Sequence, residues 1–310
     1  ARISSIWEAV SRKMGGDSKL LYAKGAAITG DDRSGFAEAI EKAGKAEIVV
    51  LTVGEARDMS GEAKSRSNLQ LPGVQEQLIK RLMATGKPVV LLVHAGRPII
   101  FNWAADHVPA ILYTWWLGTE AGNAIADVVF GDYNPSGKLP MTFPRAEGQI
   151  PIYYSYYNTG RPVETEADIV HKSAYIDLSI HPKFHFGYGL SYTRFEYGKM
   201  VLSDTLLKAN QKLMVTVTVK NTGSYKGKET VQLYIRDRVG KVVRPVKELK
   251  GFRQIELMPG EQKQVQFTLT TNDLRFYDDR LVFDWEPGEF DIMVGGDSRN
   301  VQTRTINWTK

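Results

Sequence analysis

The chain contains no cysteine among its 310 residues, and this absence excludes several chemistries at once. Without thiols there is no disulfide framework, no thiolate nucleophile and no zinc site with cysteine ligands. The cellular compartment stays open, because large exported proteins can fold without disulfides.

Long apolar runs and basic clusters are also missing. No stretch reaches the ~20 apolar residues of a membrane span, and the first residues lack the basic and then apolar pattern of a secretion signal. The net charge of +5 comes from 40 basic residues dispersed among 35 acidic ones, so we expect neither a membrane nor a nucleic acid partner. The chain starts at Ala1 in what reads as the middle of a domain. We therefore expect that an upstream segment was removed or cleaved.

Helical and strand patterns alternate through the first part of the chain. Apolar residues recur at helical spacing in four stretches, and short apolar runs stand between them. The predicted helices lie over 3–14, 36–43, 74–83 and 121–130, and the predicted strands over 48–53, 89–93 and 109–114. Continuous apolar strands between amphipathic helices are typical of a mainly parallel sheet covered on both faces. We predict an α/β sandwich domain over residues 1–145.

The pattern changes after residue 145. Proline, glycine and tyrosine accumulate up to about residue 195 and neither period is sustained, so we predict that 146–204 is a linker wrapping the first domain. Beyond it, apolar residues alternate with a period of two between regular turn signals. The predicted strands are 213–219, 231–235, 250–255, 264–269, 281–283 and 290–294. This pattern favours an immunoglobulin-like β-sandwich over residues 205–310.

A loop that carries two glutamates, Glu55 and Glu62, follows the first predicted strand. Glu55 comes directly after the strand, where a carboxylate tends to hold a loop by accepting backbone N–H bonds. Glu62 lies in mid-loop after Ser60-Gly61, from where its side chain can reach outwards. Ligands of open α/β sheets bind at the carboxyl ends of the strands, so this loop is where we expect chemistry. The alternative is a solvated connection whose acids only face water.

Five segments of the chain carry a family resemblance. They are GEARDMSGEAKSRSNLQLPG (54–73), WWLGTEAGNAIADVVFGDYNPSGKLPMTFPR (115–145), YNTGRP (157–162), FGYGLSYTRF (186–195) and RPVKELKGF (244–252). In this order and spacing they resemble the C-terminal two domains of family 3 glycoside hydrolases, of the bacterial periplasmic β-glucosidase type. The resemblance covers nearly the whole chain.

The resemblance implies a fold and an activity. It implies an (α/β)6-type sandwich followed by a fibronectin type III-like domain, both belonging to a retaining β-glucosidase that hydrolyses terminal non-reducing β-D-glucosyl residues. In that family an N-terminal (β/α)8-type barrel carries the Asp nucleophile, and 310 residues leave no room for such a barrel. The expected partners are therefore a β-glucoside or oligosaccharide and a barrel domain or chain. The resemblance further implies a periplasmic or secreted location and is compatible with a homodimer.

Site residues follow from the same resemblance. It assigns the general acid/base to the Ser-Gly-Glu segment, that is, to Glu62, with Glu55 as the alternative. Met59, Ser60 and Arg66 are assigned to substrate binding, although Arg66 could equally orient the loop itself or form a surface ion pair. No metal and no cofactor are expected, because the five histidines show no ligand spacing and no nucleotide-binding glycine motif is complete.

Two interpretations stay open at this stage. The chain is part of a β-glucosidase whose nucleophile lies elsewhere, or it is a carbohydrate-binding or structural module that has lost catalysis. Copurification of a second polypeptide of about barrel size would distinguish them. Trp115-Trp116 could likewise form a sugar platform, or at least one of the pair could belong to the core.

Overall fold

The computed structural model describes residues 3–16, 19–163 and 170–310, and its chain folds into two compact units. The first unit comprises Ala1–Tyr133 with Phe143–Ile150, and the second comprises Asn134–Thr142 with Pro151–Lys310. The predicted domain limits at 145 and 204 stay predictions.

The first unit alternates helices with parallel strands. Its elements are α1 (Ile6–Met14), α2 (Phe36–Gly44), β1 (Val49–Gly54), α3 (Gln75–Met83), β2 (Val89–His94), α4 (Asn102–His107), β3 (Ala110–Tyr113) and α5 (Ala121–Val129). The three strands form one parallel sheet in the order β1-β2-β3. Short 3-10 helices lie at Arg57–Met59 and Glu147–Gln149.

Apolar helix faces form two clusters in this unit. One cluster packs α2 and α3 together with Val49 and Leu51 of β1. The other packs Ala9 and Val10 of α1 against Ala126 of α5. Strand β2, in the middle of the sheet, is almost entirely buried, as expected for a parallel strand with helices on both faces.

The three parallel strands have their carboxyl ends at the same end of the sheet. Gly54 pairs with His94, and Val93 pairs with Tyr113, so the loops after β1, β2 and β3 begin side by side. Gly54 has a φ of +141°, and a Cβ there would lie 1.8 Å from the carbonyl oxygen of His94. Only glycine lets β1 approach β2 this closely at the point where the first loop begins.

The second unit is built of antiparallel strands apart from one parallel pair. Its strands are β4 (Phe195–Tyr197), β5 (Val201–Leu202), β6 (Leu206–Lys208), β7 (Leu213–Asn221), β8 (Gly227–Asp237), β9 (Glu248–Leu257), β10 (Gln262–Leu269), β11 (Phe276–Tyr277), β12 (Phe283–Asp284), β13 (Gly288–Gly295) and β14 (Val301–Thr309). A 3-10 helix spans Thr271–Leu274. One sheet has the order β10-β7-β4 with β5 also on β7, and a second has the order β6-β14-β13-β8-β9. Strands β11 and β12 pair separately.

A large apolar core lies within this second unit. Strand β7 shows the expected alternation, with Leu213, Val215, Val217 and Val219 buried and the residues between them more exposed. From the facing sheet, Trp308 is fully buried, and its indole N–H donates to the carbonyl oxygen of Ala209 at 3.1 Å. The predicted fold class, an α/β sandwich with a parallel sheet followed by a β-sandwich, is confirmed.

Strand β14 was missing from the sequence prediction. Its sequence VQTRTINWT carries mostly polar residues, and only Ile306 and Trp308 are buried.

Among the residues that the structure describes, no helix is long and apolar enough to cross a membrane.

Candidate functional site

The loop after β1 opens with a buried carboxylate. The side chain of Glu55 is 0% exposed, and its Oε1 lies 2.7 Å from Nη1 of Arg66 and 3.0 Å from Nε of Arg97. Its Oε2 accepts the backbone N–H of Gly96 at 3.3 Å and a further contact from Nε of Arg97 at 3.3 Å. Both oxygens are engaged, so this carboxylate is paired as a buried charge must be.

Arg97 links the end of β2 to the loop after β1. Its Nη2 donates to the carbonyl oxygen of Lys64 at 2.9 Å and also to the carbonyl oxygen of Met59. These two carbonyls stand on either side of residues 60–63. One planar guanidinium, paired with Glu55, therefore holds both ends of the segment that carries Glu62.

Glu62 lies on an exposed turn between those two anchors. The N–H of Lys64 donates to the carbonyl oxygen of Gly61 at 3.2 Å and closes the turn. Gly61 has a φ of +143° and Ala63 a φ of +56°, so the chain reverses sharply around Glu62. The side chain of Glu62 is exposed. Of the two glutamates in the loop after β1, Glu55 is thus held in place by its partners and Glu62 is exposed.

The three residues assigned to substrate binding take different places. Arg66 is engaged within the protein, because its guanidinium contacts Glu55 and donates to the carbonyl oxygen of Gln70 at 3.1 Å. Met59 is half-buried, and its sulfur accepts the N–H of Ala56 at 3.4 Å. Ser60 is half-buried at the start of the turn. The roles of all three in substrate binding, like that of Glu62, stay predictions.

Close packing fixes the position of Ser60. A Cβ at Gly96 would lie 2.0 Å from Oγ of Ser60 and 2.4 Å from the indole nitrogen of Trp116. The loops after β1, β2 and β3 therefore meet on this glycine, which leaves no space for any other residue without displacement of its neighbours.

The two tryptophans after β3 differ in environment. Trp115 packs edge-on against Tyr113 and Phe143, with ring centroids 4.9 and 5.8 Å apart. Trp116 is 45% exposed. The hydroxyl of Tyr113 donates to the carbonyl oxygen of Arg97 and accepts the N–H of Ile99 at 3.3 Å. Burial raises the pKa of Tyr113, so it is a neutral donor that supports the loop carrying Arg97.

Metal ligands do not gather around this loop. Over residues 3–16, 19–163 and 170–310, no group of three or more His, Asp or Glu side chains could hold a metal ion. Of the histidines near the sheet, His94 contacts Oγ1 of Thr114 at 2.7 Å, and burial lowers its pKa.

The sequence analysis missed Arg97 and Gly96, which complete the site. A signal for them was present, because Ala95-Gly96-Arg97 directly follows the second strand. Neighbouring parallel strands place their carboxyl ends together, so a glycine and an arginine there face the loop that begins at Glu55.

The arrangement is that of an α/β domain with an acidic loop at its strand ends, joined in sequence to a β-sandwich. A model described as the glycosyl hydrolase family 3 C-terminal domain matches residues 2–192, and one described as a fibronectin type III-like domain matches residues 229–298. The chain belongs to glycoside hydrolase family 3, as the sequence resemblance predicted.

Similar proteins agree with this membership. The chain is 44% identical to the periplasmic β-glucosidase of Salmonella typhimurium over 94% of its own length, and 41% identical to a β-xylosidase of Formosa agariphila over 98%. Among solved structures, the β-glucosidase of Listeria innocua in complex with glucose matches 92% of the chain with 38% identity and a TM-score of 0.88. A β-glucosidase from Erythrobacter marinus matches 99% with 35% identity and a TM-score of 0.90.

These relatives are much longer than the chain. It spans 41% of the length of both curated relatives and 40% and 43% of the two solved chains. The matched part corresponds to the C-terminal domains of glycoside hydrolases.

Proposed function

We propose that this chain is the C-terminal part of a retaining β-glucosidase acting on terminal non-reducing β-D-glucosyl residues. In this proposal Glu62 is the general acid/base, and the nucleophile is an Asp of an N-terminal (β/α)8-type barrel domain. The names of the Salmonella and Listeria relatives support glucosides as the substrate class, and the name of the former supports a periplasmic or secreted location.

The observation that carries the proposal is that the side chain of Glu62 is exposed while both ends of its turn are held in place. Glu62 is exposed on a turn whose two ends are held by Arg97 through the carbonyl oxygens of Met59 and Lys64. A general acid must reach the glycosidic oxygen of a substrate bound outside its own domain, and it must do so from a fixed position. A mid-loop carboxylate on an anchored turn meets both requirements.

Glu55 is a poor candidate for the same role. Its two oxygens are occupied by Arg66, Arg97 and the N–H of Gly96, and its side chain has no exposed surface. Proton transfer to a glycosidic oxygen would require this network to open. We therefore assign Glu55 to holding the loop, and Arg66 to positioning through Glu55 and the carbonyl of Gln70.

Retaining hydrolysis needs a second carboxylate about 5–5.5 Å from the acid/base, on the other side of the anomeric carbon. The nucleophile attacks that carbon while Glu62 protonates the leaving oxygen, and Glu62 then takes a proton from the water that releases the sugar. Ser60, beside the turn, offers a hydroxyl to the substrate, and Met59 offers apolar surface.

The test is Glu62→Ala in the enzyme that includes the N-terminal domain. Hydrolysis of an alkyl glucoside, whose leaving group needs protonation, should fall about 10²- to 10⁴-fold. With a dinitrophenyl glucoside the first step should survive, deglycosylation should become limiting, and azide should restore turnover by attacking without base assistance.

Glu55→Ala is the matched control. It should lower activity to a similar extent with every leaving group, and azide should not restore it. If leaving-group dependence and azide rescue appeared at Glu55 and not at Glu62, the assignment of the two carboxylates would be reversed.

The chain without an N-terminal domain should not hydrolyse aryl β-glucosides. A general acid alone supplies about 10²- to 10⁴-fold, far below the acceleration of a glycosidase. Turnover by rigorously purified chain would refute the assignment of the nucleophile to another domain. If adding the N-terminal domain gave no activity either, a non-catalytic module would be the better description.

A further inference from the structure

An apolar slot runs along the free edge of the parallel sheet. Its volume is about 580 Å³, and it lies between strand β1 on one side and the segment Leu20–Ile28 on the other. This segment contains no helix and no strand, although its start is an apolar run. The slot is therefore bounded by two stretches of backbone, one of them a strand edge.

The edge of β1 presents unpaired backbone groups to this slot. The N–H of Val49 donates to the carbonyl oxygen of Pro88, just before β2, at 2.9 Å, and the N–H of Glu55 donates to that of His94, at the end of β2, at 2.8 Å. Because residues alternate along a parallel ladder, the N–H and C=O groups of Val50 and Thr52 point the other way, into the slot. Both residues are exposed. Such an edge pairs readily with another strand.

The amide of Gln75 shows how these edge groups are satisfied at one end of the slot. Its Oε1 accepts the N–H of Gly54 at 2.7 Å, and its Nε2 donates to the carbonyl oxygen of Gly54 at 2.8 Å. The same Nε2 donates across the slot to the carbonyl oxygen of Ile28 at 3.0 Å. Gln75 thus bridges the two walls as the backbone of an intervening strand would, and it closes the slot beyond Thr52.

Apolar side chains line both faces of the slot. Ile6 and Val10 of α1 line it on one face of the sheet, and Leu78 of α3 lines it on the other. A strand occupies roughly 160 Å³ per residue, from a rise of about 3.3 Å, a strand spacing of about 4.8 Å and a layer spacing of about 10 Å. The slot therefore holds about four residues, and both faces require apolar side chains.

We propose that this slot receives a parallel β-strand from the N-terminal region that the longer family 3 relatives possess. The occupant is a run of about four apolar, mainly β-branched residues, inserted between Leu20–Ile28 and β1. The relatives carry the polypeptide for it, since the chain spans only 41% of their length. The parallel direction follows from the sheet that the strand extends. This inference is independent of the role of Glu62.

Hydrogen exchange of the full 310-residue chain tests the proposal. The probe is the N-terminal part of the Salmonella periplasmic β-glucosidase that precedes the matched region, expressed as a separate polypeptide. In the chain alone, the amides of Val50 and Thr52 should exchange much faster than those of Leu51 and Val53, which face β2. With the probe, Val50 and Thr52 should slow at least about tenfold, together with amides of Leu20–Ile28.

Two proline variants sharpen the test. Thr52→Pro removes a slot-facing N–H only, so the chain should fold and its affinity for the probe should fall at least about tenfold. Leu51→Pro removes a bond to β2 and should unfold the first unit whether or not the probe is present.

Several results would overturn the proposal. One is unchanged exchange at Val50 and Thr52 when the probe is bound, and another is full affinity of a folded Thr52→Pro chain. A third is protection of the same amides in a dimer of the chain alone, seen by sedimentation, because a second copy would then be the occupant.

Discussion

Each unit of the molecule has a buried carboxylate at the end of a strand, and the two are paired very differently. Glu55, after β1, has Arg66 and Arg97 at 2.7 and 3.0 Å. Asp237, the last residue of β8, has Oδ2 3.9 Å from Nε of Arg244. Among the described residues, neither Oδ2 of Asp237 nor Nε of Arg244 has a hydrogen-bond partner.

The difference shows what the close pairing at Glu55 achieves. Burial raises the pKa of Asp237 to about 6, because its effect exceeds the lowering by Arg244 and by the backbone N–H of Val239. A buried acid that is poorly paired therefore costs stability when it ionises. Glu55 instead has two arginines and a backbone N–H as close partners, and the loop is built around these contacts.

Replacing Glu55 should have the largest effect on stability. Glu55→Gln leaves Arg66 and Arg97 without their carboxylate, at side-chain exposures of only 19% and 17%. We expect a loss of about 3 kcal/mol in the free energy of unfolding of the first unit, since removing one partner of a buried pair leaves uncompensated charge. Native-state hydrogen exchange at β2 amides measures it. A loss below about 0.5 kcal/mol would mean that the arginines are hydrated and the pairing is unimportant.

Asp237→Asn should act in the opposite direction. The pKa of Asp237 is about 6 in the folded chain and about 3.9 when unfolded. The protonated side chain therefore makes its full contribution to the free energy of unfolding below about pH 4. This contribution is lost as the pH rises through 6. At pH 8 the variant should be more stable than the parent chain by on the order of 2 kcal/mol, and at pH 4 the two should be equal. Exchange at β13 amides, followed between these pH values, reports it. Destabilisation at pH 8 would show that Arg244 outweighs burial.

Glu62→Gln should change stability least. Its side chain is exposed on the turn, so the free energy of unfolding should stay within about 0.5 kcal/mol of the parent chain. Thermal unfolding of the two chains side by side is sufficient. A larger loss would place Glu62 among the residues that hold the loop, and it would remove the contrast with Glu55 on which its proposed role depends.

Sequence patterns predicted the elements whose burial follows a simple period. Runs of β-branched and other apolar residues predicted strands β1, β2 and β7, and the position after β1 predicted the loop with Glu55 and Glu62. The position of Arg97 after β2 was a usable signal, but its two carbonyl partners, more than 30 residues away, could not be predicted because a carbonyl oxygen leaves no trace in a sequence. Strand β14 was missed because tertiary pairing with β13 holds a mostly polar segment extended.

The hydrogen bonds from Arg97 to two carbonyl oxygens also determine which parts of this loop can be changed. The guanidinium recognises main-chain atoms of Met59 and Lys64, so it does not depend on which side chains stand there or between them. We therefore expect that a changed 60–63 segment keeps this anchor if it returns its two ends to the same place and fits the packing of Ser60 beside Gly96. Changes to this loop are therefore best confined to residues 60, 61 and 63, with Glu55, Glu62, Gly96 and Arg97 left unchanged.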